Sequence, residues 1–395
     1  MIRLWPILFW SGVVWLGYIY FGYPLLLWLA GFWKEFHPKI RDDYFPKVSV
    51  LISARNEEKD IGWKVCESLS WNYLPDRLEL IIASDASEDR TDEILQSFND
   101  SRLKYVRMDS RVGKNEALNR LARLATGDLL LFTDANTHIG KDCLRGMVRY
   151  FADPRVGCVT GTEHTQTEEH ELAVSSGTRA YLNYELLIDQ LESRVGSVIV
   201  CDGSLFVVRR ALFHQLQPDL ANDLELPLSI GYAGHALLCD PTAIAIEKAM
   251  RSSREEYNRK RRICGQGFLG FWRLRRCLRG FRAWQFFSRK VLRWLALIPM
   301  MVILLTTGAL LARPFFAFLF VLQVAFYILA LGGWLFDLAG RRGSTALAMP
   351  YYFLVVNIAA VIGVVHACIG RRFAVWDVST YSRGQSESRR GIQYP

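Results

Sequence analysis

From Leu4 to Trp33 the chain carries no charged residue, so this stretch has no polar face to show to water. A helix needs roughly 20 apolar residues to cross the hydrocarbon of a bilayer. The run is longer than a signal-peptide core and lacks a small-residue cleavage site before Lys34, which predicts a retained anchor. Further apolar runs at about 291–312, 314–336 and 347–370 predict three more spans. Arg293, near the start of the first of these, is expected to snorkel to the interface. The chain is 51% hydrophobic over 395 residues, and the excess lies at its two ends. The expected order is an anchor over 1–33, a cytosolic domain over 34–250, basic amphipathic interfacial helices over 251–290, spans over 291–372 and a polar tail over 373–395.

The net charge of +9 is unevenly placed, with arginines crowded between Arg251 and Arg293. Phe268, Phe271, Trp272, Phe281 and Trp284 interleave with them near helical spacing. Basic residues with aromatics suit single-stranded nucleic acid. Their position just before a span favours an anionic membrane surface instead, so no nucleic-acid partner is expected. The eight cysteines form no Cys-x-x-Cys pair, which suits a reduced compartment better than a zinc site or disulfide scaffold. Lys34, Lys39, Arg41 and Lys47 after the first span place that side in the cytoplasm. Arg371, Arg372, Arg383, Arg389 and Arg390 follow the last span. With four spans they would lie outside, against the same tendency; a re-entrant or interfacial carboxyl-terminal segment, or a different span count, would remove the conflict.

Between the apolar ends, short hydrophobic runs alternate with helical patterns. Strands are expected at 48–53, 79–83, 103–107, 128–133, 157–160 and 197–208. Helices are expected at about 60–69, 91–98, 114–125, 140–151 and 168–194. Strand–helix alternation predicts an α/β fold with a mostly parallel sheet and right-handed crossovers. In such sheets ligands bind beyond the carboxyl ends of the strands.

Two aspartates fall at such ends. Asp85 follows Leu80-Ile81-Ile82-Ala83 and Asp134 follows Leu129-Leu130-Leu131-Phe132. Asp134 and Asn136 form an Asp-x-Asn element whose oxygens suit Mg2+ or Mn2+ bridging to phosphates; alone, it would read as a turn. Asp85 can accept hydrogen bonds from a base or ribose, whereas Ser87 or Asp89 can simply cap the next helix. Arg55 and Glu57 end the first strand beside it. Lys114, in Gly113-Lys114-Asn115, either meets the nucleotide or starts a solvated helix. Asp223, in Asn222-Asp223-Leu224-Glu225, is a candidate general base for an acceptor hydroxyl, with a helix cap as the plain alternative and Glu225 as a rival. Arg259, Arg262 and Gln266 lie in or just after the basic run. They can stabilise a departing diphosphate or remain solvated or lipid-facing.

In this order the elements resemble the family-two glycosyltransferases, in particular the membrane-bound polysaccharide-synthase-like branch. The resemblance runs from about Val48 to Trp294. It rests on Ala54-Arg55-Asn56-Glu57-Glu58, the Asp85 loop, Gly113-Lys114-Asn115, Thr133-Asp134-Ala135-Asn136, Asp202-Gly203-Ser204, Asn222-Asp223 and the basic segment. It implies a GT-A nucleotide-diphospho-sugar fold, Mg2+ or Mn2+, and inversion at the anomeric carbon. Ala54, Arg55, Glu57 and Asp85 would hold the nucleoside, with Lys114 near the nucleotide. Asp134 and Asn136 would manage metal and diphosphate. Asp202, Gly203 and Ser204 would line the acceptor side, and Asp223 would be the base. Asn136 stands where the family often has Asp. The stretch Arg259-Lys260-Arg261-Arg262-Ile263 lacks the tryptophan of the processive Gln-x-x-Arg-Trp element, and Ile263 cannot stack on a sugar as an indole can.

The expectation is therefore an inverting glycosyltransferase in a bacterial-type plasma membrane, its catalytic domain cytoplasmic. It would carry a sugar from a nucleotide donor, UDP-linked by preference, to a lipid-linked or saccharide acceptor, in cell-surface polysaccharide or glycolipid synthesis. A processive synthase that extrudes its polymer and a non-catalytic membrane scaffold are the alternatives.

Overall fold

The computed structural model describes residues 4–166, 173–248, 252–339 and 344–371. The expected polar tail at 373–395 and the first residues of the helix expected at 168–194 lie outside them. The chain forms two compact units. One comprises residues 36–165 and 196–248; the other gathers residues 1–35, 166–195 and 249–372.

The first unit is built on an eight-stranded sheet ordered β3-β2-β1-β4-β7-β6-β8-β5. Its strands are β1 (Val48–Ala54), β2 (Leu78–Ser84), β3 (Leu103–Arg107), β4 (Leu129–Thr133), β5 (His138–Ile139), β6 (Val156–Gln166), β7 (Leu205–Arg209) and β8 (Ala236–Lys248). β3, β2, β1 and β4 run parallel, with Val50 opposite both Leu80 and Leu131. β7 pairs antiparallel with both β4 and β6, and β5 with β8, so the sheet is mixed beyond its first four strands. The helices Ile61–Leu69, Thr91–Ser97 and Lys114–Leu124 are the parallel crossovers. β1, β2 and β4 are buried almost throughout, as expected for strands covered on both faces.

Two differences from the expected strands have local causes. The strand expected over 197–208 begins only at Leu205, because the Asp202 carboxylate accepts from the Ser204 amide at 2.9 Å and folds the chain into a turn. β8 was not expected. Its Asp240-Pro241-Thr242 reads as a turn, yet Asp240 absorbs the break by accepting from the Thr242 amide and hydroxyl.

At the opposite end of the parallel strands from Asp85, Glu79 ties three segments. It accepts from the Thr126 amide at 2.6 Å, from Ser49 Oγ, and from Lys104 Nζ at 2.7 Å. Burial alone would raise its carboxyl. The Lys104, Ser49 and Thr126 hydrogen bonds outweigh burial and hold it down at about 2.

The second unit holds the helices Leu4–Ala30, Pro314–Leu338 and Thr345–Cys368, each long and apolar enough to cross a membrane. A π-helical turn, Tyr18–Gly22, lies within the first. The span expected at 291–312 takes a different form. Gly280–Trp294 and Leu297–Ala309 meet at 56°, and the 13-residue second helix is only about 20 Å long, short of a ~30 Å hydrocarbon core. A fourth span exists only if this bent pair is counted as one.

Arg289 and Arg293 find their partners within the protein. Arg289 is buried and bonds Glu185, Asp189 and Glu192 on the helix Ala173–Arg194 at 2.9, 2.7 and 2.7 Å. Arg293 bonds Glu185 at 2.5 Å. The carboxylates of that helix answer the charge inside the unit, where an unpaired guanidinium would be costly. Phe271 stacks on Phe286 and Phe268 meets Trp294 edge-on, so these rings pack protein while Trp272 stays exposed.

Because its carboxyl sits below the ordinary value of about 4.5, Glu79 stabilises the fold above that pH and ceases to do so as pH falls from about 4.5 toward 2. Fluorescence melts of the detergent-solubilised chain should lose stability over that window. Glu79→Gln should melt lower at pH 7 and show a flatter acid limb; equal acid limbs would remove Glu79 from the account.

Candidate active site

The residues singled out in the sequence between Ala54 and Asp223 all belong to the sheet unit. β1, β2 and β4 deliver Ala54, Asp85 and Asp134 to the same edge of the sheet. The Asp85 amide bonds the Ala54 carbonyl at 2.8 Å, and Arg55 Nη1 donates to the Asp85 carbonyl at 3.1 Å. The β1 and β2 loops are then stitched together. The Asn56 amide donates to Ser87 Oγ at 3.1 Å, the Asn56 side chain accepts from the Glu88 amide at 2.7 Å, and the Glu57 amide donates to Thr91 Oγ1 at 2.8 Å. Asn56 and Ala86 hold φ near +53° and +51°, a left-handed conformation costly for alanine. Strain of this kind persists where surrounding bonds over-determine the loop. Ser87 is therefore a loop tie, while Asp89 does both jobs: Oδ2 accepts from the Glu58 amide at 3.1 Å and Oδ1 from the Thr91 amide at 3.0 Å at the start of the following helix.

The Asp85 carboxylate is buried and grips the next loop. Oδ1 accepts from the Val112 amide at 2.7 Å and Oδ2 from the Gly113 amide at 3.0 Å. Gly113 has φ +88°, which glycine adopts without cost. Each carboxylate oxygen keeps a further lone pair for a base or ribose donor. The grip fixes where Lys114 emerges as the first residue of its helix, and Lys114 Nζ lies 2.6 Å from Asp134 Oδ1.

The remaining residues come from β7 and from the helix Asn222–Tyr232. Thr133 is opposite Leu205, so Asp134 and Ser204 are neighbours at the strand ends. Asp202 accepts from Ser204 Oγ at 2.6 Å and its own amide bonds Thr160 Oγ1 at 2.8 Å. The Cys201 amide bonds the Asp223 carbonyl at 2.9 Å. A Cβ on Gly203 would stand 3.1 Å from Asp223 Oδ2, so the backbone passes directly beside that carboxylate. Asp223 is the second residue of its helix, and Ala221 stands at the cap position. Glu225, the rival base, is buried and bonds the Gln217 amide at 3.0 Å, which commits it to structure.

Asn115 and Asn119 went unnoticed in the sequence. Asn115 donates to the Gln217 and Leu220 carbonyls at 2.6 and 2.8 Å, and Asn119 exchanges bonds with the Leu216 backbone. They seat the segment that leads into Asp223 on the helix that begins with Lys114. Their signal was a polar residue recurring four positions on in an amphipathic helix. Arg259, Arg262 and Gln266 lie on the helix Ser253–Arg273 of the other unit.

Among the described residues no group of three or more His, Cys, Asp or Glu could hold a metal ion alone. Asp134 and Asn136 nevertheless offer hard oxygens of the type Mg2+ and Mn2+ take, and the Asp134 carboxylate already attracts one cation, the Lys114 ammonium. The donor set fits a divalent ion whose remaining ligands would have to be supplied by a diphosphate and water.

Residues 49–217 match the model of Glycosyl transferase family 2. Over 119 residues the chain is 38% identical to a beta-monoglucosyldiacylglycerol synthase of Synechocystis sp., covering 29% of this chain and 25% of that protein. Over 229 residues it is 29% identical to a probable glycosyltransferase of Bacillus subtilis, 53% of each chain. The chain thus spans about half the length, or less, of these curated relatives. Among solved structures, a mannosyltransferase from Pyrobaculum calidifontis in complex with GDP-Man and Mn2+ superposes with a TM-score of 0.68 at 21% identity, over 91% of this chain and 99% of that one. That likeness shows a shared fold, of the GT-A type.

Gly203→Ala tests the closeness of the Gly203 backbone to Asp223. The added methyl must displace a carboxylate oxygen by a few tenths of an ångström, and turnover should fall about tenfold with donor KM nearly unchanged. Full activity would mean that the Asp223 position is not critical.

Proposed function

The chain carries a family-two glycosyltransferase domain, and on that premise we propose that it is a membrane-bound inverting enzyme transferring a sugar from a nucleotide-diphospho-sugar to a lipid-linked or saccharide acceptor. The observation that carries this reading is the convergence of Asp85, the Lys114–Asp134 pair and Asp223 at one edge of one sheet. A glycolipid synthase among the relatives and three helices able to span a bilayer support an acceptor met at the membrane.

In this reading the free lone pairs of Asp85 accept from the nucleoside, with Ala54, Arg55 and Glu57 around it. Lys114 faces the diphosphate. Asp134 and Asn136 hold a divalent cation, which when bound offsets the charge of the leaving group. Asp202, Gly203 and Ser204 border the acceptor. The Asp223 carboxylate takes the proton of the acceptor hydroxyl as that oxygen forms a bond to the anomeric carbon; the bond from that carbon to the diphosphate oxygen breaks on the opposite face. The nucleoside diphosphate leaves with the electron pair, and the anomeric configuration inverts. The donor is taken as UDP-linked, with guanosine donors as the control because the solved neighbour carries GDP-Man.

The reading also assigns a topology. With Leu4–Ala30, Pro314–Leu338 and Thr345–Cys368 as the complete crossings, the amino terminus lies outside and the sheet unit in the cytoplasm. Arg371 and the arginines after it then also lie in the cytoplasm, which removes their conflict with the charge rule.

Asp223→Asn should lose at least about a thousandfold in turnover while binding donor as wild type does, measured with radiolabelled UDP-sugars on membranes and by calorimetry; normal turnover would exclude Asp223 as base. EDTA should silence the purified enzyme and Mn2+ or Mg2+ restore it; unchanged activity would end the metal role of Asp134. A carboxyl-terminal reporter should read as cytoplasmic, and an external signal would restore a fourth crossing.

A further inference from the structure

The helix Ile61–Leu69 follows β1 and packs on the sheet through Ile61, Val65 and Ser68. Lys64 belongs to the same inward face and its side chain is wholly buried. An ammonium there is costly, and an apolar side chain such as those of Ile61 and Val65 would fill the position more cheaply. The ammonium lies 5.8 Å from the centroid of the Trp71 ring and makes two polar contacts. Nζ donates to the Thr137 carbonyl at 2.6 Å and lies 3.4 Å from Glu67 Oε2, one turn along the helix. The other oxygen of Glu67 accepts from the Ile139 amide at 2.9 Å. One residue earlier on the helix, the Trp63 ring lies against the His138 ring with centroids 3.6 Å apart. One face of a single helix therefore holds three consecutive residues, Thr137, His138 and Ile139, immediately after Asp134-Ala135-Asn136. Burial pushes the Lys64 ammonium down to about 8, opposed by Glu67 and, more weakly, by the charge of Asp134, so the buried cation also lies within the field of the proposed metal carboxylate.

We propose that Lys64 and Glu67 are positioning residues of the donor site: a buried ammonium–carboxylate pair that sets the backbone at 137–139 and thereby aims the oxygens of Asp134 and Asn136. The inference rests on the reading of those two residues as cation ligands. Neither Lys64 nor Glu67 touches the substrate. They act on the ligand loop as outer partners act on metal ligands elsewhere, where losing one weakens metal binding about 10–100-fold.

The test is a titration of the full-length, detergent-solubilised protein with Mn2+ in the presence of UDP, read by the electron paramagnetic resonance signal of free Mn2+, alongside thermal melts and steady-state kinetics. Lys64→Met should raise the Mn2+ concentration for half-saturation by about 10–100-fold. It should raise the donor KM and leave the acceptor KM nearly unchanged. Lys64→Arg keeps a cation that can reach the Thr137 carbonyl and should recover part of the affinity. Should Lys64→Met fail to fold, the near-isosteric Glu67→Gln keeps the ammonium and weakens only the Ile139 anchor; it should still raise half-saturation several-fold. Wild-type titrations in the folded variants would overturn the positioning role while leaving Asp134 and Asn136 as ligands. A wild-type protein that binds no Mn2+ with UDP would overturn both readings together.

Discussion

The Asp85 carboxylate, holding the Val112 and Gly113 amides at 2.7 and 3.0 Å, is the interaction on which the site depends. β1 and β2 would converge without it, since their register follows from apolar packing. The loop after β3 is anchored at its start by the Met108 amide on the Ser84 carbonyl at 2.9 Å, and Asp85 holds its far end. Gripped by Asp85, that loop starts its helix at Lys114 within reach of Asp134 on β4. One buried carboxylate thus links three strand ends. Amides bonded to an ionised carboxylate are among the stronger hydrogen bonds available, and burial keeps water from competing for them.

The second unit solves a different problem with the same chemistry. Arg289 and Arg293 lie among apolar helices, and Glu185, Asp189 and Glu192 answer them. Removing either side would leave uncompensated charge where it is costly. A guanidinium shared by three carboxylates of one helix fixes that helix against the segment 287–293 in a single register, which apolar contacts alone specify poorly.

Much of the sheet unit was legible in the sequence because its strands are continuous apolar runs, a pattern buried parallel strands produce and few others do. Asp85 and Asp134 were legible for the same reason: a charged residue directly after such a run marks a strand end. β8 was hidden because Asp240 and Pro241 resemble a turn, and the delayed start of β7 because nothing in Ser197-Val198-Ile199-Val200 announces that Asp202 will fold the chain back. Lys64 and Asn119 have local partners one turn away, but the backbone groups that Lys64, Asn115 and Asn119 hold at Thr137, Leu216, Gln217 and Leu220 are distant in sequence and were not legible. The carboxylate partners of Arg289 and Arg293 were not legible because charge density says nothing about what lies across the fold. The bend between Trp294 and Leu297 was missed because hydropathy measures apolarity and carries no information on direction.

The most direct test is an experimental structure of the full chain with UDP and Mn2+. The account predicts the nucleoside against Asp85, the ion between the diphosphate and Asp134 with Asn136, and Asp223 facing the β-phosphate end across Gly203. A nucleotide bound elsewhere, with Asp85, Asp134 and Asp223 opening onto different surfaces, would contradict it.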